Sequence, residues 1–269
     1  MRARAGRLLF PLLLISHIQP VDAACFDPAQ LTHSTVRIMR HFDDTERGER
    51  PDLVGVRGTG WFLSPTTIVT AEHVAAGMML SAEGWKSLEI TDGDSSLFIA
   101  ARIQRLAGAQ TEKLAVIELE HAVSDARSVT IRKEPLVPEE QVITLAYPAG
   151  RLQTVTGRFV RLGDEGKLTG LALLEFYEGD NRLIIDHGAS GAPVIDCSGR
   201  VAAVVSNVFT QTIQWVSREI RISTAWGTPN VVSVPAQALN DSSKPALKFL
   251  ELNSSSAYAR VDGGAELVR

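Results

Sequence analysis

Gly58-Thr59-Gly60-Trp61-Phe62-Leu63-Ser64-Pro65-Thr66-Thr67-Ile68-Val69-Thr70-Ala71-Glu72-His73-Val74 is the stretch on which the fold turns. Trp61 to Leu63 and Thr67 to Thr70 are short runs of aromatic, aliphatic and β-branched residues. Ser64-Pro65 punctuates them, so the stretch predicts two strands joined by a turn. After Ala71 the texture changes. Glu72-His73-Val74-Ala75-Ala76 ends at Gly77 and predicts a short helical turn. Working outward, the same strand texture recurs at Leu114 to Leu119, Gln141 to Ala146 and Val201 to Val205. Many short strands without alternating helices point to an all-β sandwich or barrel. No long-period repeat is evident.

The second informative stretch is Gly188-Ala189-Ser190-Gly191-Ala192-Pro193. Glycines on either side of a serine let the backbone turn sharply and expose its Oγ. They also let backbone N–H groups converge on one spot, as stabilising an oxyanion requires. Gly188 and Ser190 are the expected donors. By itself such a string also suits a plain Gly-rich turn. His73 adds weight, because it closes a strand and opens a helical turn, where its ring can lean across a cleft. It precedes Ser190 by 117 residues.

Together, GTGWFLSPTTIVTAEHV (58–74) and GASGAPVIDCSGRVAAVVS (188–206) resemble the trypsin/chymotrypsin-like serine protease family. The likeness is greatest to its bacterial members of the HtrA and glutamyl-endopeptidase kind. The resemblance implies an all-β, chymotrypsin-like fold of two packed six-stranded antiparallel β-barrels, with the active site in the cleft between them. It also implies a serine endopeptidase acting on protein or peptide. Ser190 would be the nucleophile, His73 the general base, and Gly188 with Ser190 the oxyanion hole. Ser206 would lie on the strand lining the primary specificity pocket. Ile184, six residues before Ser190, would lie at the pocket base and hints at an uncharged P1 residue. No metal or organic cofactor is implied, and His33, His41 and His121 show no metal-ligand spacing.

The third triad member departs from the family pattern. The family carries an aspartate just before a Leu-Ala-Val-type strand, and here that stretch is Thr111-Glu112-Lys113-Leu114-Ala115-Val116-Ile117. Lys113 stands where the aspartate belongs. A lysine cannot accept the N–H bond that orients an imidazole, and its charge disfavours imidazolium. Glu112 would supply the carboxylate if the strand starts one residue earlier. Asp92 or Asp94 would supply it from another loop. Otherwise the enzyme works as a dyad, or the chain is a catalytically impaired homologue that binds peptide or protein in the old cleft. Ala189 replaces the Asp or Asn that usually precedes the nucleophile. That removes the carboxylate to which a freshly cut N-terminus would pair. Ala192 replaces a glycine.

The rest of the sequence sets the context. A chain of 269 residues, 45% hydrophobic and 22% charged, is globular in composition. Its formal charge of −4 gives no footprint for nucleic acid. Arg2, Arg4 and Arg7, the apolar run Leu8 to Ile15 and the small-residue site Val21-Asp22-Ala23 have the layout of a secretory signal peptide over residues 1–23. The apolar run is too short to span a bilayer, so no integral membrane segment is expected in the mature chain. The protein is therefore expected to be exported, to the periplasm or beyond. In an oxidising compartment an even cysteine count favours a disulfide, Cys25 to Cys197, over two free thiols. Residues 24–240 form the expected protease domain. Residues 241–269 read as a partly disordered extension with a short C-terminal helix at Pro245 to Leu252.

Overall fold

The computed structural model describes residues 25–48, 52–106, 113–165, 168–177, 188–208, 210–215, 218–223, 231–239 and 266–268. The first barrel is built from β1 (Thr35–His41), β2 (Gly55–Ser64), β3 (Thr67–Ala71), β4 (Lys86–Asp92), β5 (Ser95–Leu106) and β6 (Leu114–Leu119). Their order is β1-β4-β5-β6-β3-β2, and pairing of β1 with β2 closes the ring. Two short helices sit in its connections, α1 (Asp44–Arg47) between β1 and β2 and α2 (Glu72–Gly77) after β3. The second barrel is the closed ring β10-β11-β14-β9-β8-β7. It comprises β7 (Gln141–Ala146), β8 (Gln153–Glu165), β9 (Leu168–Tyr177), β10 (Pro193–Asp196), β11 (Val201–Val208) and β14 (Val231–Pro235). The hairpin of β12 (Thr210–Trp215) and β13 (Arg218–Ser223) interrupts the connection from β11 to β14. Both rings are antiparallel and six-stranded, as the resemblance implies.

Strand alternation explains why the core segments read as continuous apolar runs. On β3 and β6, Ile68, Ala115 and Ile117 enter the first barrel's interior. Val69, Leu114 and Val116 on the opposite face join Trp61 in a layer shared with Ile143, Leu145, Val201 and Val204 of the second barrel. Val142, Ala146, Ala203 and Val205 turn the other way, into the second barrel. Successive side chains face opposite sides, and here both sides are buried. Closing the sheets on themselves also leaves few exposed edges.

Cys25 and Cys197 form a disulfide, with Cα atoms 4.4 Å apart. Phe26 N–H donates to the Cys197 carbonyl at 3.2 Å, so the start of the described chain is tied to the β10–β11 turn. The expected signal peptide and the expected helix at Pro245 to Leu252 lie outside the described residues. The end of the C-terminal extension adopts a definite structure. β15 (Glu266–Val268) pairs antiparallel with β2, Glu266 opposite Arg57 and Val268 opposite Gly55.

Candidate active site

β3 delivers His73. Its ladder to β6 runs as far as Ala71 opposite Leu114, and Glu72 N–H then donates to the Lys113 carbonyl at 2.7 Å. The ladder thus sets Lys113 beside the first turn of α2, with its backbone held whatever its side chain. His73 Nε2 is enclosed and has no hydrogen-bond partner, and among the described residues no carboxylate bonds to the ring. The imidazole is pushed down from 6.5 to about 4, first by burial and then by the Lys113 ammonium. Both causes disfavour the charged form, so at neutral pH the ring is an uncharged base.

Asp92 and Asp94 do not fill the acid's place. Asp92 Oδ2 sits 2.8 Å from His33 Nδ1. Asp94 lies exposed in the β4–β5 turn. Both stand at the tip of the antiparallel β4–β5 hairpin, with Asp92 opposite Ser95, and the tip's Gly93 N–H donates to the Tyr147 hydroxyl at 3.4 Å. Glu112 and Ile184 lie outside the described residues.

The Ser190 turn is held by one residue that the sequence did not single out. Thr59 is wholly buried. Its N–H donates to the Ser190 carbonyl at 3.0 Å. Its hydroxyl donates to the Gly188 carbonyl at 2.7 Å and accepts from Tyr147 N–H at 3.0 Å. Its own carbonyl accepts from the Thr70 hydroxyl at 2.7 Å. One side chain therefore ties β2, the nucleophile turn and the segment after β7 together across the two barrels. Its only sequence signal was a threonine between two glycines.

Gly188 and Gly191 adopt φ of 97° and 91°. At Gly191 a side-chain carbon would meet the Thr59 carbonyl at 2.1 Å and the Ala71 nitrogen at 3.1 Å. Only glycine fits that turn, and its close approach seats the Ser190 turn on the strand end that carries His73. The Ala189 carbonyl accepts from Ala192 N–H at 3.0 Å. In a trans peptide the Ser190 N–H points opposite to that carbonyl, out of the turn. Ala189 itself is buried in the second barrel's core. Ser190 Oγ has the Ser206 carbonyl at 3.4 Å, long for a hydroxyl donor. Ser206 stands where β11 and β14 slip register, between Val205 and Asn207, and that irregularity turns its carbonyl to the site. The structure thus brings the Ser190 turn together with Ser206 and with the Ala71 end of β3, from which the His73 helix starts, without a hydrogen bond from Oγ to Nε2.

Among the described residues no group of three His, Cys, Asp or Glu side chains is placed to hold a metal ion. No described helix is long and apolar enough to cross a membrane.

The trypsin-like peptidase domain profile matches residues 58–204, more than half of the chain. The fold is similar to that of the Rv3671c protease from Mycobacterium tuberculosis in its active form. That match has a TM-score of 0.51 and 18% identity, over 87% of this chain and 92% of the other. It is also similar to the HtrA-type protease AlgW with a tripeptide, at TM-score 0.53 and 14% identity, over 79% of this chain and 60% of the other. A serine endoprotease from Yersinia pestis matches at TM-score 0.52 and 11% identity, over 78% and 61%. No curated protein sequence matches significantly.

Proposed function

Because the chain belongs to the trypsin-like peptidase family, we propose that it is a serine endopeptidase acting by acyl transfer, with Ser190 as nucleophile and His73 as general base. The observation that carries this reading is the seating of the Ser190 turn, through Gly191, against the Ala71 end of β3. That contact brings the nucleophile's loop and the histidine's helix to one spot. Ser190 Oγ attacks the scissile carbonyl carbon as its proton passes to His73 Nε2. The C–N bond then breaks as the imidazolium returns that proton to the leaving amine. Water repeats the sequence on the acyl-enzyme. The N–H groups of Gly188 and Ser190 receive the developing oxyanion. The low proton affinity of His73 keeps the base unprotonated well into the acid range.

A second reading rests on Lys113. With an ammonium beside a ring that has no acid partner among the described residues, the chain would be a catalytically impaired homologue that binds peptide or protein in the same cleft. A fluorophosphonate probe separates the two. An active serine labels, and Ser190→Ala removes labelling and peptide cleavage while the fold stays intact. Absence of labelling in the wild-type chain would favour the second reading. We further place the protein outside the cytoplasm, a reading supported by the Cys25–Cys197 bridge. N-terminal sequencing of the abundant form should begin at or near Ala24.

A further inference from the structure

The edge of β2 that faces away from β1 is used in three successive segments. Trp61 and Phe62 pair there with β3. Thr59 turns its N–H to the Ser190 carbonyl and its C=O to the Thr70 hydroxyl of β3. Backbone groups repeat their direction every second residue along a strand. Arg57, two residues before Thr59, therefore turns its N–H and C=O to that same edge, and there it lies opposite Glu266. The C-terminal strand and the nucleophile turn are neighbours on one strand edge, separated by about 7 Å of β2.

The direction of β15 agrees with a docked peptide. β15 runs antiparallel to β2, from Glu266 opposite Arg57 to Val268 opposite Gly55. Its N-terminal end is therefore the end nearer Ser190, and the strand leads away from the nucleophile. An extended substrate whose leaving portion departs from Ser190 along β2 would run in this direction and use the same backbone groups. The register sets Glu266 directly opposite Arg57.

We infer that residues 266–268 act as a built-in competitor, occupying by strand addition the edge of β2 that would otherwise receive the leaving-group side of a peptide substrate. The occupant is this chain's own C-terminal strand, and the surface suits an extended peptide with an acidic residue opposite Arg57. Being tethered, the strand competes at a high local concentration without needing high intrinsic affinity. This inference deepens the endopeptidase reading and rests on it for its kinetic consequence alone. Its binding consequence stands apart.

The test uses the full mature chain and its Val268→Pro variant, in which proline removes the backbone donor that faces Gly55 across the ladder. A tail docked nine-tenths of the time leaves about a tenth of the molecules competent, so releasing it lowers KM about tenfold. That fall is expected for an internally quenched peptide extending on both sides of the scissile bond, with kcat unchanged. An aminocoumarin amide, which has no residues on the leaving side, should show no change. A double variant, Arg57→Cys with Glu266→Cys, should raise KM for the long peptide in its disulfide form and release it on mild reduction, since directly opposed strand residues lie within bridging distance. Equal effects on both substrates, or none on the long peptide, would overturn the inference. If neither chain cleaves either substrate, the endopeptidase reading falls and binding decides the matter. A fluorescein-labelled peptide of residues 261–269 should then bind the Val268→Pro chain and not the wild type. Equal binding to both, or to neither, would refute the tail's role.

Discussion

Thr59→Val is the substitution that most directly tests how the nucleophile turn is held. Valine has the shape of threonine, so the change replaces one hydroxyl by a methyl and leaves the volume of a fully buried site alone. Two groups lose their partner, the Gly188 carbonyl and the Tyr147 N–H. Each buried polar group left unsatisfied costs about 1–3 kcal/mol, which gives about 2–6 kcal/mol together. That is a large part of the roughly 5–15 kcal/mol by which a domain is stable. Thr59→Ser is the control. It keeps the hydroxyl and removes one methyl group, worth about 1 kcal/mol. Urea unfolding of the two variants, compared at equal slope, reads the difference. If Gly188 lies in the oxyanion loop as proposed, folded Thr59→Val should also label with fluorophosphonate about 100-fold more slowly, as a displacement near 1 Å can produce. A Val variant as stable as the Ser variant, or one that labels at the wild-type rate, would refute the account of Thr59 as the pin between the barrels.

Two further outcomes follow from His73. Its proton affinity is lower folded than unfolded, so between pH 6.5 and about 4 the unfolded chain binds the extra proton. Stability is therefore full above pH 6.5 and falls with pH through that window, by about 3 kcal/mol from this group alone. Urea midpoints of the wild type and His73→Gln across that range should converge on the acid side. Lys113→Asp should raise the affinity of His73 for a proton, moving the acid limb of the labelling-rate profile upward. It should also raise turnover toward the ~10⁴ factor that an orienting acid supplies. An unchanged limb and rate would mean that the acid comes from elsewhere.

The strand-rich architecture was legible because its determinants are local. Trp61 to Leu63 and Thr67 to Thr70 carry both the β-propensity and the turn residues that close them, and β2 and β3 form there. The turn at Ser190 and the short helix that begins beside His73 were legible because the glycines that shape them, Gly188, Gly191 and Gly77, are local to each. Thr59 was not, because its role depends on partners 88 and 129 residues away, which no local pattern encodes. The C-terminal strand was missed for a related reason. Glu266 to Val268 is three residues long and stands in a polar, small-residue tail, so only its pairing with β2 defines it as a strand. The acid alternatives Asp92 and Asp94 could not be sorted by sequence either. Only the tertiary structure pairs Asp92 with His33 and leaves Asp94 exposed.

The cost of Lys113 can be divided between charge and orientation. The fall of His73 from 6.5 to about 4 corresponds to a factor of about 300 in proton affinity. Burial is the larger cause of that fall, so the ammonium accounts for less than this factor. Losing the orienting acid from a serine triad costs about 10⁴. Orientation and tautomer therefore outweigh repulsion, and removing the charge alone should recover little. Lys113→Met supplies the comparison. It deletes the ammonium while leaving the Glu72-to-Lys113 backbone bond in place. Its labelling rate should rise by well under 300-fold, with Lys113→Asp well above it. Equal gains in the two variants would show that the ammonium's field, and not the missing acceptor at Nδ1, is what limits this site.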